Sequence, residues 1–402
     1  MEIFLLDILN LLLRWLHMIT GIAWIGASFY FVMLDTSLKS PNNASHSKRG
    51  VFGELWAVHG GGFYHSQKYL TGPKTEPLAQ DLHWAKWEAY FTWMSGISLL
   101  ALIYWWGAEI YLIQPGGPLE SPASAVAISI AVLVGAWLIY DLLCRSPLAK
   151  NEAVLGAVIF VLVSFSAWGL CVLFTGRGAY ITFGAMLGTI MAANVFFIII
   201  PGQKKMVAAI RAGEEVDPQP GIDGKQRSVH NTYFTLPVLF TMISNHYAMT
   251  YGHEYNWLVL IVISLAGALI RIFFVSRHGQ GSVNYSALVL GIVMLIIASV
   301  MLAPKHTKPA PSTNQVSFTE IESIINLRCS VCHSATPTQS GFVSPPKGVV
   351  YDSEQDITAQ AAIIHQQAFV TKVMPIGNLT DMTEAERDTI NTWFMQLSSG
   401  NN

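Results

Sequence analysis

Long apolar runs separated by short polar stretches fill the first three quarters of the chain. A hydrocarbon core about 30 Å thick asks a spanning helix for about 20 mostly apolar residues. Eight segments meet that demand: 5–34, 87–106, 123–143, 152–174, 179–201, 232–251, 255–275 and 283–303. The pattern predicts an all-α fold, with an eight-span transmembrane helical bundle over residues 1–303. No Lys or Arg precedes Arg14 and no small-residue cleavage site follows, so the first segment is expected to be a retained span rather than a signal peptide. From Pro304 the pattern changes: "PKHTKPAPSTNQ" is polar and Pro-containing, which predicts a linker over 304–316. A small domain, 317–402, follows. Ser317 with Glu320 and Thr383 with Glu386 have the capping-box spacing that opens a helix.

Composition agrees with a membrane setting: 52% of residues are hydrophobic, 12% are charged, and there are twelve tryptophans. A net charge of −2, with no basic run interleaved with aromatics, argues against a nucleic-acid partner. The lipid bilayer is the first partner implied. Lys and Arg in the connections set the orientation. Lys39, Lys48, Arg49, Lys68, Lys74 and Lys86 follow the first segment, and none lies between the second and third. Lys204, Lys205, Arg211, Lys225 and Arg227 lie between the fifth and sixth. Both termini are therefore expected outside. In a Gram-negative bacterium this is a multi-pass inner-membrane protein with the C-terminal domain in the periplasm.

That domain carries "NLRCSVCHSA". Cys329 and Cys332 stand one helical turn apart, suited to thioether bonds with the two vinyl groups of a haem, and His333 follows as an iron ligand. A zinc site would want two further Cys or His ligands, and the other cysteines, Cys144 and Cys171, lie in or beside apolar segments. The sixth ligand is expected from Met374, stiffened by Pro375; Met382 is the alternative, and Met395 reads as core of the last helix. The domain resembles a short class I cytochrome c, with one covalent haem c.

Polar residues inside apolar segments are costly and so point to function. Arg14, His17, Gly21, Trp24 and Ser28 share one face of the first segment. His17 could hold a haem b in the membrane part, with His246 as its partner and Arg14 meeting a propionate; a hydrogen bond to a neighbouring helix is the plainer alternative. A denser cluster lies on the inner side. Glu54, His59 and His65 surround three consecutive glycines, and His83, His230 and Asn231 follow in the next inner connections. Read as a long loop without regular structure, residues 51–69 suit a substrate site. Interfacial anchoring accounts for the nearby tryptophans.

The stretches "WLHMITGIAWIGASFYFVMLD", "GELWAVHGGGFYHSQKY", "HWAKWEAYFTWMSG" and "VHNTYFTLPVLFTMISNHY" resemble the bacterial membrane-bound urate oxidases, in which an eight-span domain is fused to a C-terminal cytochrome c. The resemblance covers essentially all 402 residues. It implies oxidation of urate to 5-hydroxyisourate, with electrons passed through the C-terminal haem to a downstream electron-transfer protein or terminal oxidase. On that reading Glu54 or a histidine is the base, and His59, His65 and Asn231 orient the substrate. A dehydrogenase of another small reductant such as a quinol, and a redox-gated transporter or sensor, are the alternatives. A homo-oligomer is left open.

Overall fold

The computed structural model describes residues 2–114, 116–279, 281–303, 315–339, 342 and 344–399. Most of the linker expected over 304–316 therefore lies outside the described residues.

All eight apolar segments fall on helices. The first forms α1 (Glu2–Ser37). The second forms α3 (Trp87–Leu99), prolonged by a π-helical turn over Leu100–Trp105, after the one-turn-and-a-half α2 (Ala44–Arg49). The one-turn α4 (Ala108–Tyr111) leads to α5 (Pro122–Arg145), whose proline sits in the first turn, where its missing N–H has no partner to lose. In α6 (Glu152–Leu173) the Asn151 side chain accepts the N–H groups of Ala153 and Val154. Next come α7 (Gly176–Ala193), capped by Thr175, a π-helical turn over Asn194–Ile199, and α8 (Ile200–Ala212). Pro201 cannot donate to the preceding turn, which accounts for the widened backbone there. Helix α9 (Gln219–Ser244) begins well before the predicted 232 and carries Pro237 in its interior. The rest of that segment is the one-turn α10 (Ala248–Tyr251). Then follow α11 (Asn256–His278) and α12 (Tyr285–Met301). Among the described residues, five helical stretches are long and apolar enough to cross a membrane: Leu5–Ser37, Pro122–Arg145, Glu152–Leu173, Gly176–Ala212 and Asn256–His278.

The all-α expectation needs one correction. Residues 51–69, expected without regular structure, contain an antiparallel hairpin, β1 (Gly53–His59) paired with β2 (Gly62–Lys68) from Gly53↔Lys68 to His59↔Gly62. Gly60 and Gly61, at φ 58° and 79°, supply the two left-handed positions that a two-residue hairpin turn requires.

Helix α7 lies at the centre. Tyr180, Phe183, Met186, Leu187 and Ile190 pack in one core with Leu112, Leu155, Phe174 and Leu260. Close approach of α7 and α9 depends on Gly184, where a Cβ would fall 2.9 Å from Thr241 Cβ and closer still to its hydroxyl. The C-terminal unit has a core of its own. Helices α13 (Phe318–Arg328), α14 (Glu354–Ala359), α15 (Ala361–Ile364) and α16 (Glu384–Ser399) gather Ile321, Ile325, Ile357, Ile364, Ile390 and Trp393. Both predicted caps form: Ser317 accepts from Glu320 N–H, and Thr383 N–H donates to Glu386 while Glu386 N–H donates back to Thr383. The unit leans on the end of the bundle remote from the hairpin. At Gly252 a Cβ would meet the Thr371 carbonyl at 2.8 Å, and at Gly377 the Ile110 carbonyl at 3.3 Å.

Gly184→Ala is expected to destabilise the bundle by about 1–3 kcal/mol through overpacking, read as a lowered melting temperature of the detergent-solubilised chain. Gly188→Ala, which has open space around it, is expected to leave that temperature unchanged within error.

Candidate functional site

Three groups of polar side chains stand out, and they divide the residues expected to act together.

The first is buried among α5, α6, α9 and the π-helical turn after α7. His230 Nε2 donates to Glu152 at 3.3 Å, which leaves Nδ1 to accept the Tyr140 hydroxyl at 2.8 Å. Asn194 Nδ2 donates to Tyr140 Oη at 3.3 Å and to Asn231 Oδ1 at 3.0 Å, and Asn231 donates to the Met191 carbonyl. Arg227, whose side chain is 3% exposed, is paired through Nη2 with Asp141 at 2.8 Å and lies over the Tyr140 ring. Its Nε and Nη1, and Asn194 Oδ1, are buried with no hydrogen-bond partner. His230 and Asn231 were expected as site residues; Tyr140, Asp141, Asn194 and Arg227 were not. Their signal was present as polar residues in or beside apolar segments, the same signal that singled out His17.

The second group is on the hairpin. Alternation along β1 and the pairing Trp56↔His65 put Glu54, Trp56 and His65 on one face, and His59 on the other. Glu54 Oε2 accepts from His65 Nε2 at 3.1 Å and from His46 Nδ1, on α2, at 2.8 Å. Desolvation pushes the Glu54 carboxyl up, but the His46 hydrogen bond, both imidazoles and the Asn42 N–H together outweigh it and hold the group below the usual carboxylate range. His59 is exposed at the hairpin tip and His83 is exposed before α3, so neither joins a cluster. The hairpin is tied to the bundle by Lys68, which donates to Asp35 of α1; Asp35 also pairs with Lys225 of α9 at 3.0 Å.

The third group belongs to the C-terminal unit. Cys329, Cys332 and His333 form a turn off the end of α13, with the His333 N–H donating to the Cys329 carbonyl at 2.9 Å and both thiols unpaired. His333 Nδ1 donates to the Val349 carbonyl at 3.1 Å, which leaves the lone pair on Nε2. Burial lowers the His333 pKa against that hydrogen bond and pushes the Cys329 thiol up to about 12, so the imidazole is neutral and the thiol is no thiolate. These residues fit a covalent haem. Met374 is half-buried, its carbonyl accepting from Arg387 at 2.8 Å, whereas Met382 is 3% exposed within the unit's core.

His17 and His246 are not brought together. His17 Nδ1 lies 2.9 Å from the Thr92 carbonyl on α3, and the ring sits against Gly96. His246 is exposed in the turn after α9, beside Asn245, which accepts from Tyr104 at 3.0 Å. Gly96 to Tyr104 is eight residues, roughly 12 Å of helix rise, so the contacts of the two histidines fall at different levels of that helix. Arg14 donates to Asn10 at 2.8 Å on an exposed face of α1.

No curated protein and no solved structure matches the chain. The family model described as urate oxidase N-terminal matches residues 3–303, which takes in both the buried network and the hairpin. Spanning about three quarters of the sequence, this match shows that the chain belongs to the urate oxidase N-terminal family.

Proposed function

We infer that the chain oxidises urate in a bacterial inner membrane, binding it in the network of Tyr140, Asn194, Arg227, His230 and Asn231. Eight spans with both termini periplasmic, and a C-terminal cytochrome c that hands electrons to a downstream protein or terminal oxidase, complete this reading. The observation that carries it is Arg227: a buried guanidinium held by one nitrogen, with two further donors and the Asn194 carboxamide oxygen unpartnered. Buried polar atoms of this kind call for a partner, and a polar ligand between Arg227 and Asn194 would supply it. Urate is planar and anionic at neutral pH, with carbonyl oxygens for the guanidinium edge and ring N–H groups for Asn194 Oδ1.

Conversion of urate to 5-hydroxyisourate takes up one water and releases two electrons and two protons. Tyr140, His230 and Glu152 form a hydrogen-bonded line from the network to a carboxylate that is 64% exposed, which gives a proton a way out. His230 is the proton acceptor in this arrangement and Tyr140 its link to the substrate. The hairpin residues Glu54 and His65 are less suited to hold urate, because they already satisfy one another. Cys329, Cys332, His333 and Met374 would hold the haem, which when bound would supply a one-electron acceptor.

With urate as the only reductant, anaerobic stopped-flow absorbance of the purified chain is expected to show reduction of the c-type haem. Arg227→Gln and His230→Ala are expected to slow it about 100-fold or more, with unchanged reduction by dithionite. A wild-type haem that stays oxidised under excess urate sinks the assignment; unchanged rates in both variants move the site elsewhere. Replacing Cys329 and Cys332 together by Ala is expected to abolish haem staining on a denaturing gel. Met374→Ala is expected to remove the weak long-wavelength band of Met-ligated ferric haem, and loss of that band in Met382→Ala instead would reassign the ligand.

A further inference from the structure

We propose that His46, Glu54 and His65 form a binding site for a divalent first-row transition metal, which fastens α2 to the hairpin. The proposal does not depend on the identity of the substrate.

Three independent elements of local structure converge on this point. His46 is fixed by the short helix α2, which Asn43 caps at its start by accepting from Ser45 N–H and which Gly50 ends at φ 89°. The His46 carbonyl then accepts from the Val51 N–H, so the chain folds back toward the sheet. Glu54 is held at the backbone by reciprocal hydrogen bonds with Lys39, at 2.9 and 3.1 Å. His65 reaches the same face by strand register, and Trp56 stacks on its ring at 4.2 Å with an interplanar angle of 5°. The Asn42 N–H also turns toward the Glu54 carboxylate, the kind of outer partner that orients a ligating carboxylate.

The donor set and its spacing suit a metal. One ligand atom from each of His46, Glu54 and His65 lies within 4.8 Å of the other two. Ligands about 2.0–2.1 Å from a tetrahedral ion stand roughly 3.3 Å apart, so the His–Glu separations of 2.8 and 3.1 Å need to open by only a few tenths of an ångström. Two imidazoles and a carboxylate select ions of the zinc, iron and manganese class over magnesium or calcium, which favour oxygen ligands throughout. Side-chain exposures of 21%, 12% and 20% leave the site reachable from solvent yet shielded on most sides. His59, on the opposite face of the same hairpin, cannot contribute.

The test uses the untagged full-length chain in detergent, stripped with a chelator, given Zn²⁺ or Co²⁺, and freed of excess. Metal is counted by plasma mass spectrometry, and covalent haem by pyridine haemochrome, so that haem iron is subtracted and folding of each variant is checked. About one equivalent of Zn²⁺ per chain is expected in the wild type and in His59→Ala, falling at least about tenfold in His46→Ala, Glu54→Gln and His65→Ala. Should those variants lose their haem as well, the wild type alone decides: Co²⁺ is expected to give saturable d–d absorbance that Zn²⁺ displaces. Absence of saturable uptake by the wild type overturns the proposal, as does retention of the metal by well-folded Glu54→Gln, or equal loss in His59→Ala. In each of these cases the three side chains are a hydrogen-bonded cluster only.

Discussion

Asp141 is the carboxylate on which the buried network depends. Its two oxygens are shared between Arg227 Nη2 at 2.8 Å and Arg145 Nε at 2.7 Å, but only Arg227 is buried with it. In a low-dielectric interior a guanidinium without a counter-ion is untenable, and removing one partner of such a pair costs about 3–5 kcal/mol. The pair therefore links α5 to α9 through side chains. It also fixes the guanidinium plane, because Tyr140, the residue before Asp141, lies under it at 5.0 Å. One short stretch of α5 thus supplies the counter-ion, the ring and the hydroxyl to which Asn194 and His230 attach. The π-helical turn completes the arrangement: by widening the backbone ahead of Pro201 it carries Asn194 toward α9, where Asn231 accepts from it.

The opposite end of the bundle is built from other interactions. Arg177, just inside the start of α7, donates to Asn245 at 2.9 Å and to Tyr104 at 3.3 Å, and lies over the Tyr111 ring. Thr175 donates to the Tyr111 carbonyl, closing α4 over the start of α7. This is the end on which the C-terminal unit leans. The two ends are joined by the Gly176–Ala212 helix, whose apolar window is 61% buried, the most of the five candidate spans.

Much of this was legible in the sequence because it follows from local rules. Apolar length gave the helices, capping boxes gave the starts of α13 and α16, and CxxCH gave a turn that sets His333 beside its cysteines. What was lost depended on pairing between distant residues. The alternation in "GELWAVH" and "GFYHSQK" marks strands, yet three glycines between them read equally well as open loop. Only the register tells that His59 faces away from Glu54. His46 carried no signal, since it enters the cluster from a separate helical turn. Asn194 and Arg227 gain meaning only once α5 is placed beside them. For His17 the plainer expectation, a hydrogen bond to a neighbouring helix, is the one with a partner in place, the Thr92 carbonyl of α3.

The contact of residues 371–377 with Gly252 and Ile110 has a consequence for how tightly those surfaces must fit. Because the two parts are one chain, their encounter is intramolecular, and linked surfaces meet at an effective concentration on the order of 1 mM. A pair of surfaces with a Kd of about 100 μM as separate pieces would then already be about nine-tenths joined. Such a face needs no large apolar area to stay in register.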